Sequence, residues 1–312
     1  MLYHPPTLTL ARRSLFNVPR YIDKSVADAA GQVDEAELPY ALPYNLRPVD
    51  ALRMVEDVHS MLHEVNCKLH DMGYDRMEEL LDPAGFSGLV SRSVVDRLGR
   101  SSKSLTPNRY HNGYPDLLPR GVYPGDSVQH GTRGGLEVKA SRFESSWQSH
   151  GPRAGWFCVV QFDLDRREAV AQQDREPTRL QAVLIAELEL ADWSWAPAAA
   201  GKIRSGTASI KASGEVKLRK GAVWIDPTYE DAHKKRLATA RLGQFGLGAD
   251  GAVLASLAGF GRPASAQEIA EQLAPTAGLD PPQILSRVNS SLRRLILGRQ
   301  VVKPSKGLFQ VS

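Results

Sequence analysis

The chain has 312 residues, 42% hydrophobic and 24% charged, with a formal net charge of +4. That length accommodates two or three domains with proper cores, and the composition is that of an ordinary globular protein rather than a disordered or fibrous one. No apolar run approaches the roughly 20 residues that cross a bilayer, Met1–Pro6 lacks a basic segment leading into an apolar one, and Cys67 and Cys158 have neither metal-type nor disulfide-framework spacing, so a reducing cytoplasm is expected.

Charge is segregated along the chain. Residues 21–82 hold fourteen Asp/Glu against five Lys/Arg, whereas residues 199–241 hold ten Lys/Arg against four Asp/Glu. A concentrated basic region is the electrostatic footprint of nucleic-acid binding, although a solvated charged surface has the same composition.

In chain order, residues 1–47 read as irregular, broken by Pro5, Pro6, Pro19, Pro39 and Pro43. Asp50 is placed to cap a following helix marked by Leu52, Val55, Val58, Leu62, Val65 and Leu69 at helical spacing. His59 and His63 stand i, i+4 on it, a metal-type pair without a third ligand nearby. A short helix is expected over Met77–Leu81 and a longer one over Phe86–Leu98. Tyr114-Pro115-Asp116-Leu117-Leu118 and Gly135-Leu136-Glu137-Val138-Lys139-Ala140 read as strands, with a connecting helix over Phe143–Ser149. Gly155–Asp163 is a buried strand by its aromatic and β-branched run, and Leu180–Leu190 is another, ending at Asp192-Trp193-Ser194-Trp195. Trp193 and Trp195 are expected to pack rather than to stack on bases.

The chemistry concentrates in the two strands at 114–140. Glu137 and Lys139 are i and i+2, so a strand turns both to one face and Val138 to the other. If the Asp116 strand pairs alongside, two carboxylates and an ammonium meet at one point. Carboxylate oxygens suit Mg²⁺, which keeps waters and takes substrate phosphate. A lysine beside them can stabilise phosphate charge or orient the attacking water. A second Glu-x-Lys, Glu215-Val216-Lys217, lies in the basic run without an upstream Pro-Asp, and reads as a solvated or DNA-facing strand.

The Pro-Asp…Glu-x-Lys pattern, with its setting over roughly residues 85–165, resembles the PD-(D/E)xK nuclease superfamily of restriction endonucleases and repair nucleases. The resemblance implies an α/β, mixed-sheet, restriction-endonuclease-like core flanked by helices. It implies catalysis by Asp116, Glu137 and Lys139, with Mg²⁺ (or Mn²⁺) on Asp116 and Glu137. Gln161, on the strand after Glu-x-Lys, takes a possible supporting role, and an additional acid could come from Asp96, Glu78 or Glu79.

The last sixty-odd residues form a second unit. Gly251–Leu257 suggests a short helix, Ser265-Ala266-Gln267-Glu268 is a capping box, and Asp280-Pro281-Pro282-Gln283 opens a third helix closed by Gly298. Val301–Lys303 and Gly307–Val311 read as a hairpin. Three helices and a hairpin resemble a winged helix-turn-helix domain. On that resemblance Arg287, Ser290, Ser291, Arg293 and Arg294 face DNA from the third helix, and Lys303 and Lys306 from the wing; such modules also serve protein contacts.

The expected organisation is a partly irregular, helical support or dimerisation region over 1–84, a nuclease core over 85–245 and a winged helix-turn-helix domain over 246–312. The expected protein is a Mg²⁺-dependent DNA endonuclease, most like a type II restriction or defence enzyme. It acts on double-stranded DNA as a homodimer, since two strands need two sites, and without a membrane. Alternatives are a structure-specific repair or recombination nuclease and a non-catalytic DNA-binding regulator.

Overall fold

A computed structural model of the chain describes residues 19–145, 147–149, 151–196, 207–243 and 248–312. The irregular reading of 1–18 and the basic residues Lys202 and Arg204 lie outside the described residues. Among those described, no helix is long and apolar enough to cross a membrane.

Residues 20–45 run through four short 3-10 turns. Helix α1 then spans Pro48–Asp71, α2 Met77–Leu80 and α3 Pro83–Ser101. Asp50 caps α1 from inside rather than from in front: it is the third helical residue, and its carboxylate accepts from the Arg47 N–H at 3.0 Å while Arg47 binds it in return. Strands β1 (Leu105–Pro107), β2 (Leu117–Pro119) and β3 (Leu136–Ser141) follow, then β4 (Gln148–Ser149), β5 (Gly155–Asp163), β6 (Arg179–Leu188), β7 (Trp193–Ala196) and β8 (Thr207–Ile210). Helix α4 (Ala212–Lys220), β9 (Ala222–Ile225) and helix α5 (Glu230–Gly243) complete this part.

The main sheet has the order β1-β2-β3-β5-β6-β9 and is mixed: β3 and β5 run parallel, and the other neighbours antiparallel. Both faces are covered. Val138, Cys158, Val160, Val183 and Ile185 pack with Val55 and Val58 of α1 and Val90 and Val94 of α3. On the alternate positions Phe157, Val159, Leu184 and Ala186 pack with Trp147, Trp193, Leu218 of α4 and Tyr229. The period of two along β5 and β6, with both phases apolar, is what a strand buried on both faces requires.

Three expectations are corrected here. Glu215-Val216-Lys217 is not a strand but lies within α4, where Glu215 binds Arg219 at 2.8 Å across one helical turn. Among the described residues of 143–149 there is no connecting helix. The Ser141 hydroxyl accepts from the Phe143 N–H at 3.0 Å and the Trp147 indole donates to Phe143 O at 2.9 Å, side-chain bonds that favour a turn, and Gln148–Ser149 pairs with β8 instead. The Leu180–Trp195 stretch is two strands. A turn at Leu190–Asp192 breaks it, and Trp193 and Trp195 join a separate sheet of order β4-β8-β7. Trp193 is buried against Phe157, with ring centroids 5.3 Å apart, whereas Trp195 is 47% exposed and does not pack as expected.

The C-terminal part runs α6 (Gly248–Phe260), β10 (Ala264–Ser265), α7 (Ala266–Ala277), α8 (Pro281–Leu297), β11 (Val301–Ser305) and β12 (Leu308–Val311). The expected capping box forms between Ser265 and Glu268, and at the expected start of the next helix the Gln283 side-chain oxygen accepts from the Asp280 N–H at 3.0 Å. Its sheet has the order β10-β12-β11. Its core gathers Leu257, Ile269, Leu273, Ile284, Val288 and Leu292, and also Ala238 and Leu242 of α5.

Candidate active site

Asp116 stands immediately before β2, and Leu117 pairs with Leu136 of β3 in antiparallel register, so Asp116 comes opposite Glu137. Its Oδ2 accepts from the Val138 N–H at 2.9 Å, which anchors it to the Glu-x-Lys strand. The loop behind it is pinned by a buried asparagine. Asn108 donates from Nδ2 to Pro115 O at 3.0 Å and to Val128 O at 2.8 Å, and its own N–H donates to Asp116 O at 2.8 Å. Close approach of β2 and β3 also needs Gly135. Its φ is +142°, and an added Cβ would overlap Pro115 and Leu117 O.

On β3 the alternation is as the residues imply. Val138 is 1% exposed within the α1–α3 core, and Glu137 and Lys139 share the other face, with Lys139 Nζ 2.6 Å from Glu137 Oε1. The Glu137 carboxylate is nearly buried and the lysine partly exposed. Burial pushes the Glu137 pKa up to about 7, a shift that the Lys139 charge opposes and the Asp116 charge reinforces. Tyr114 is pushed up to about 12, by burial first and then by the Glu137 charge, and the Arg153 guanidinium sits over its ring at 4.1 Å from the centroid. Arg153 also pulls Glu137 down. Asn108, Tyr114 and Arg153 thus complete the surroundings. Tyr114 is adjacent in sequence to Pro-Asp, but no spacing signals Asn108 or Arg153.

Asp116 and Lys139 line a cleft of about 580 Å³ that Ser87, Gly88 and Ser91 of α3 also line. Lys139 also borders a neighbouring cleft of about 640 Å³ with Arg142, Glu144, Gln148 and Arg236. None of the acids considered for a further carboxylate reaches these walls. Glu78 accepts from Asn66 and Thr178, Glu79 pairs with Arg76 and Arg175, and Asp96 pairs with Arg97 and Arg100. Among the described residues no group of three or more His, Cys, Asp or Glu side chains converges as a metal cage.

Gln161 lies opposite Ser141 in the parallel register, 1% exposed, with both ends of its amide unpartnered among the described residues, and it makes no hydrogen bond to Asp116, Glu137 or Lys139. His59 and His63 do not converge on a shared ligand position: His59 Nε2 accepts from the Leu180 N–H at 2.9 Å, and His63 Nδ1 is 2.7 Å from Ile22 O.

The residues expected to face DNA divide into two kinds. Arg293, Lys303 and Lys306 are exposed, with Lys303 over the Phe309 ring at 5.8 Å. Ser290 is exposed but donates to Ser286 O at 3.0 Å. Arg294 pairs with Asp250 at 2.5 Å, and Arg287 turns to α5, donating to Thr239 Oγ1 at 2.7 Å and Lys235 O at 2.6 Å. Ser291, expected on the solvent face, is 1% exposed against the C-terminal core. No family model and no curated protein matches the chain.

Proposed function

We propose that the chain is a Mg²⁺-dependent deoxyribonuclease of the PD-(D/E)xK kind, cutting double-stranded DNA as a restriction or defence enzyme. One observation carries the reading: Asp116, just before β2, is held by the Val138 N–H opposite Glu137 of β3, with Lys139 bonded to Glu137 on the same face. A helix followed by three antiparallel strands and a strand parallel to the third supports the restriction-endonuclease-like core. The three helices and the β10-β12-β11 sheet support a winged helix-turn-helix unit that contacts DNA or protein. A two-fold dimer would bring one site to each strand.

The residues present fit a magnesium ion. That cation binds through one or two carboxylates plus waters and substrate phosphate, and needs no cage of three. Asp116 and Glu137 would hold it, and Asp116 Oδ1 carries no hydrogen bond among the described residues. Burial, more than the neighbouring Asp116 charge, raises the Glu137 pKa, and a bound cation would favour the carboxylate that burial disfavours. When bound, the ion polarises the scissile phosphate and makes its water more acidic.

The chain's own part follows from its positions. The Val138 N–H fixes Asp116, and Asn108 fixes the backbone that carries it. Lys139, half out in the cleft, donates toward phosphate oxygens or orients the attacking water. Ser87, Gly88 and Ser91 leave the α3 wall uncharged, so phosphate is not repelled there. The lack of an acid on that wall is the one feature that favours the alternative of a non-catalytic DNA-binding regulator.

The test is incubation with unmethylated phage DNA and Mg²⁺, with discrete fragments expected. Asp116→Ala and Glu137→Ala should abolish cutting while DNA binding survives, and a chelator should stop the wild-type reaction. Cutting by either variant at the wild-type rate would overturn the assignment. Cutting of branched substrates alone would move the protein to the repair class.

A further inference from the structure

Beyond the Lys139 cleft lies a second feature that the catalytic reading does not use. A cleft of about 500 Å³ opens between α5 and α8, lined by Lys235, Arg236, Thr239, Arg287, Ser290 and Arg294. It shares two residues, Glu144 and Arg236, with the cleft that Lys139 borders, so the two meet along a common wall.

The charges in this groove are not balanced. Four cations, Lys235, Arg236, Arg287 and Arg294, face two carboxylates, Glu144 and Asp250. Arg294 is matched by Asp250, and Arg236 by Glu144. Arg287 is held by two neutral acceptors, Thr239 Oγ1 and Lys235 O, so its geometry is fixed across both helices while its charge is uncompensated. Partial burial and the nearby Arg236 charge both disfavour its protonated form. Like charges held together by neutral bonds are relieved by an anion with several acceptor oxygens, which is what a phosphate offers to a guanidinium fork. Two clefts that share a wall suit an extended polyanion better than a single small ion, which would need one enclosed pocket.

We propose that the α5–α8 groove carries the sugar–phosphate backbone of duplex DNA toward the Lys139 cleft. Lys235, Arg236 and Arg287 are its phosphate contacts, and Glu144 is the carboxylate that a phosphate displaces from Arg236. Arg287 then grips backbone from the side of α8 rather than reading base edges. Lys235 and Arg236, on a helix outside the three-helix unit, join the DNA-contacting set. The inference rests on the nuclease reading for its direction toward Lys139, but the binding of DNA in the groove stands or falls separately.

The experiment uses the full chain carrying Asp116→Ala, so that DNA is not consumed, and a fluorescent duplex titrated over a salt series. Lys235→Ala and Arg236→Ala, both at exposed positions, should each weaken binding several-fold and lower the slope of log K against log salt by about one. Glu144→Gln should bind several-fold more tightly. Arg287→Gln should weaken binding too, and a thermal melt will show whether its bonds to α5 also hold the helices together. Lys24→Ala, exposed on the N-terminal region, is the control and should bind as the parent does. Unchanged affinity and slope in both Lys235→Ala and Arg236→Ala would overturn the proposal, and a Glu144→Gln variant that binds no more tightly would remove Glu144 from it. If the groove variants lose binding but the wild-type chain cuts nothing with Mg²⁺, the groove stands and the nuclease reading falls. If the wild type cuts while the groove variants bind unchanged, the reverse holds.

Discussion

His59 ties the acid stability of the fold to one buried imidazole. It is 1% exposed on α1, and its Nε2 accepts from the Leu180 N–H, so the folded protein needs the neutral ring. Burial, with help from the Arg179 charge, pulls its pKa from 6.5 to about 4. The unfolded chain therefore takes up a proton below about pH 6.5 that the folded chain refuses until about pH 4. Stability is present above the unfolded pKa and lost as pH falls through that window. At about 1.4 kcal/mol per unit the full loss is about 3 kcal/mol, and about 2 kcal/mol of it falls between roughly pH 7 and pH 5. His233, buried and likewise pulled down to about 4, acts in the same direction. Glu137 acts in the opposite one: its pKa is raised, so the folded state binds the extra proton and gains stability as pH falls from about 7 toward 4.5. The net acid profile of the wild type is thus a partial cancellation. A His59→Gln variant isolates one contribution, because the amide oxygen can still accept from Leu180 and the other groups are common to both proteins. Urea denaturation of both chains at the two pH values should show the wild-type advantage over the variant shrinking by about 2 kcal/mol on going from roughly pH 7 to pH 5. A difference that stays flat across that range would mean that His59 takes up its proton in the folded state, and would refute the reasoning.

Three further outcomes are expected. Lys139→Ala should cut DNA at least about a hundredfold more slowly. Lys217→Ala, in α4 and paired with Asp192 at 2.7 Å, should cut at the wild-type rate and lose about 1 kcal/mol of stability; the reverse pattern would mean that the second Glu-x-Lys is the reacting one. Arg76 is buried, with its guanidinium bound to Glu79, Asp165 O and Glu176 O, so Arg76→Met should cost about 2–3 kcal/mol in urea denaturation by stranding the two carbonyls, while Glu79 keeps Arg175; a loss below about 1 kcal/mol would show that water reaches them.

Local sequence determined most of the elements and the face each presents. The helical spacing of Leu52, Val55, Val58 and Leu62, the apolar run of Gly155–Asp163, the capping box at Ser265 and the helix start at Asp280 are short-range signals, and the structure carries each where the residues imply. The strand period likewise set Glu137 and Lys139 against Val138. Where local signals competed, the tertiary fold decided. Val216 and Leu218, two residues apart, fit a strand as well as a helix, and packing of Leu218 against the sheet with Lys217 bonded to Asp192 accompanies their place in α4. Residues 143–149 have composition for a helix or a turn, and pairing of Gln148–Ser149 with β8, some sixty residues on, settles the matter. The site itself divides the same way. Glu137 and Lys139 are readable because they sit on one strand of fixed period, and Asp116 because it stands one residue before the next. That Asp116 comes opposite Glu137, that Asn108 and Arg153 support them, that α3 contributes serines rather than an acid, and that Arg287 turns to α5 all depend on register and packing between distant segments. One-residue slips in register would change every one of these contacts without changing any local pattern, which is why a single chain of letters leaves them open.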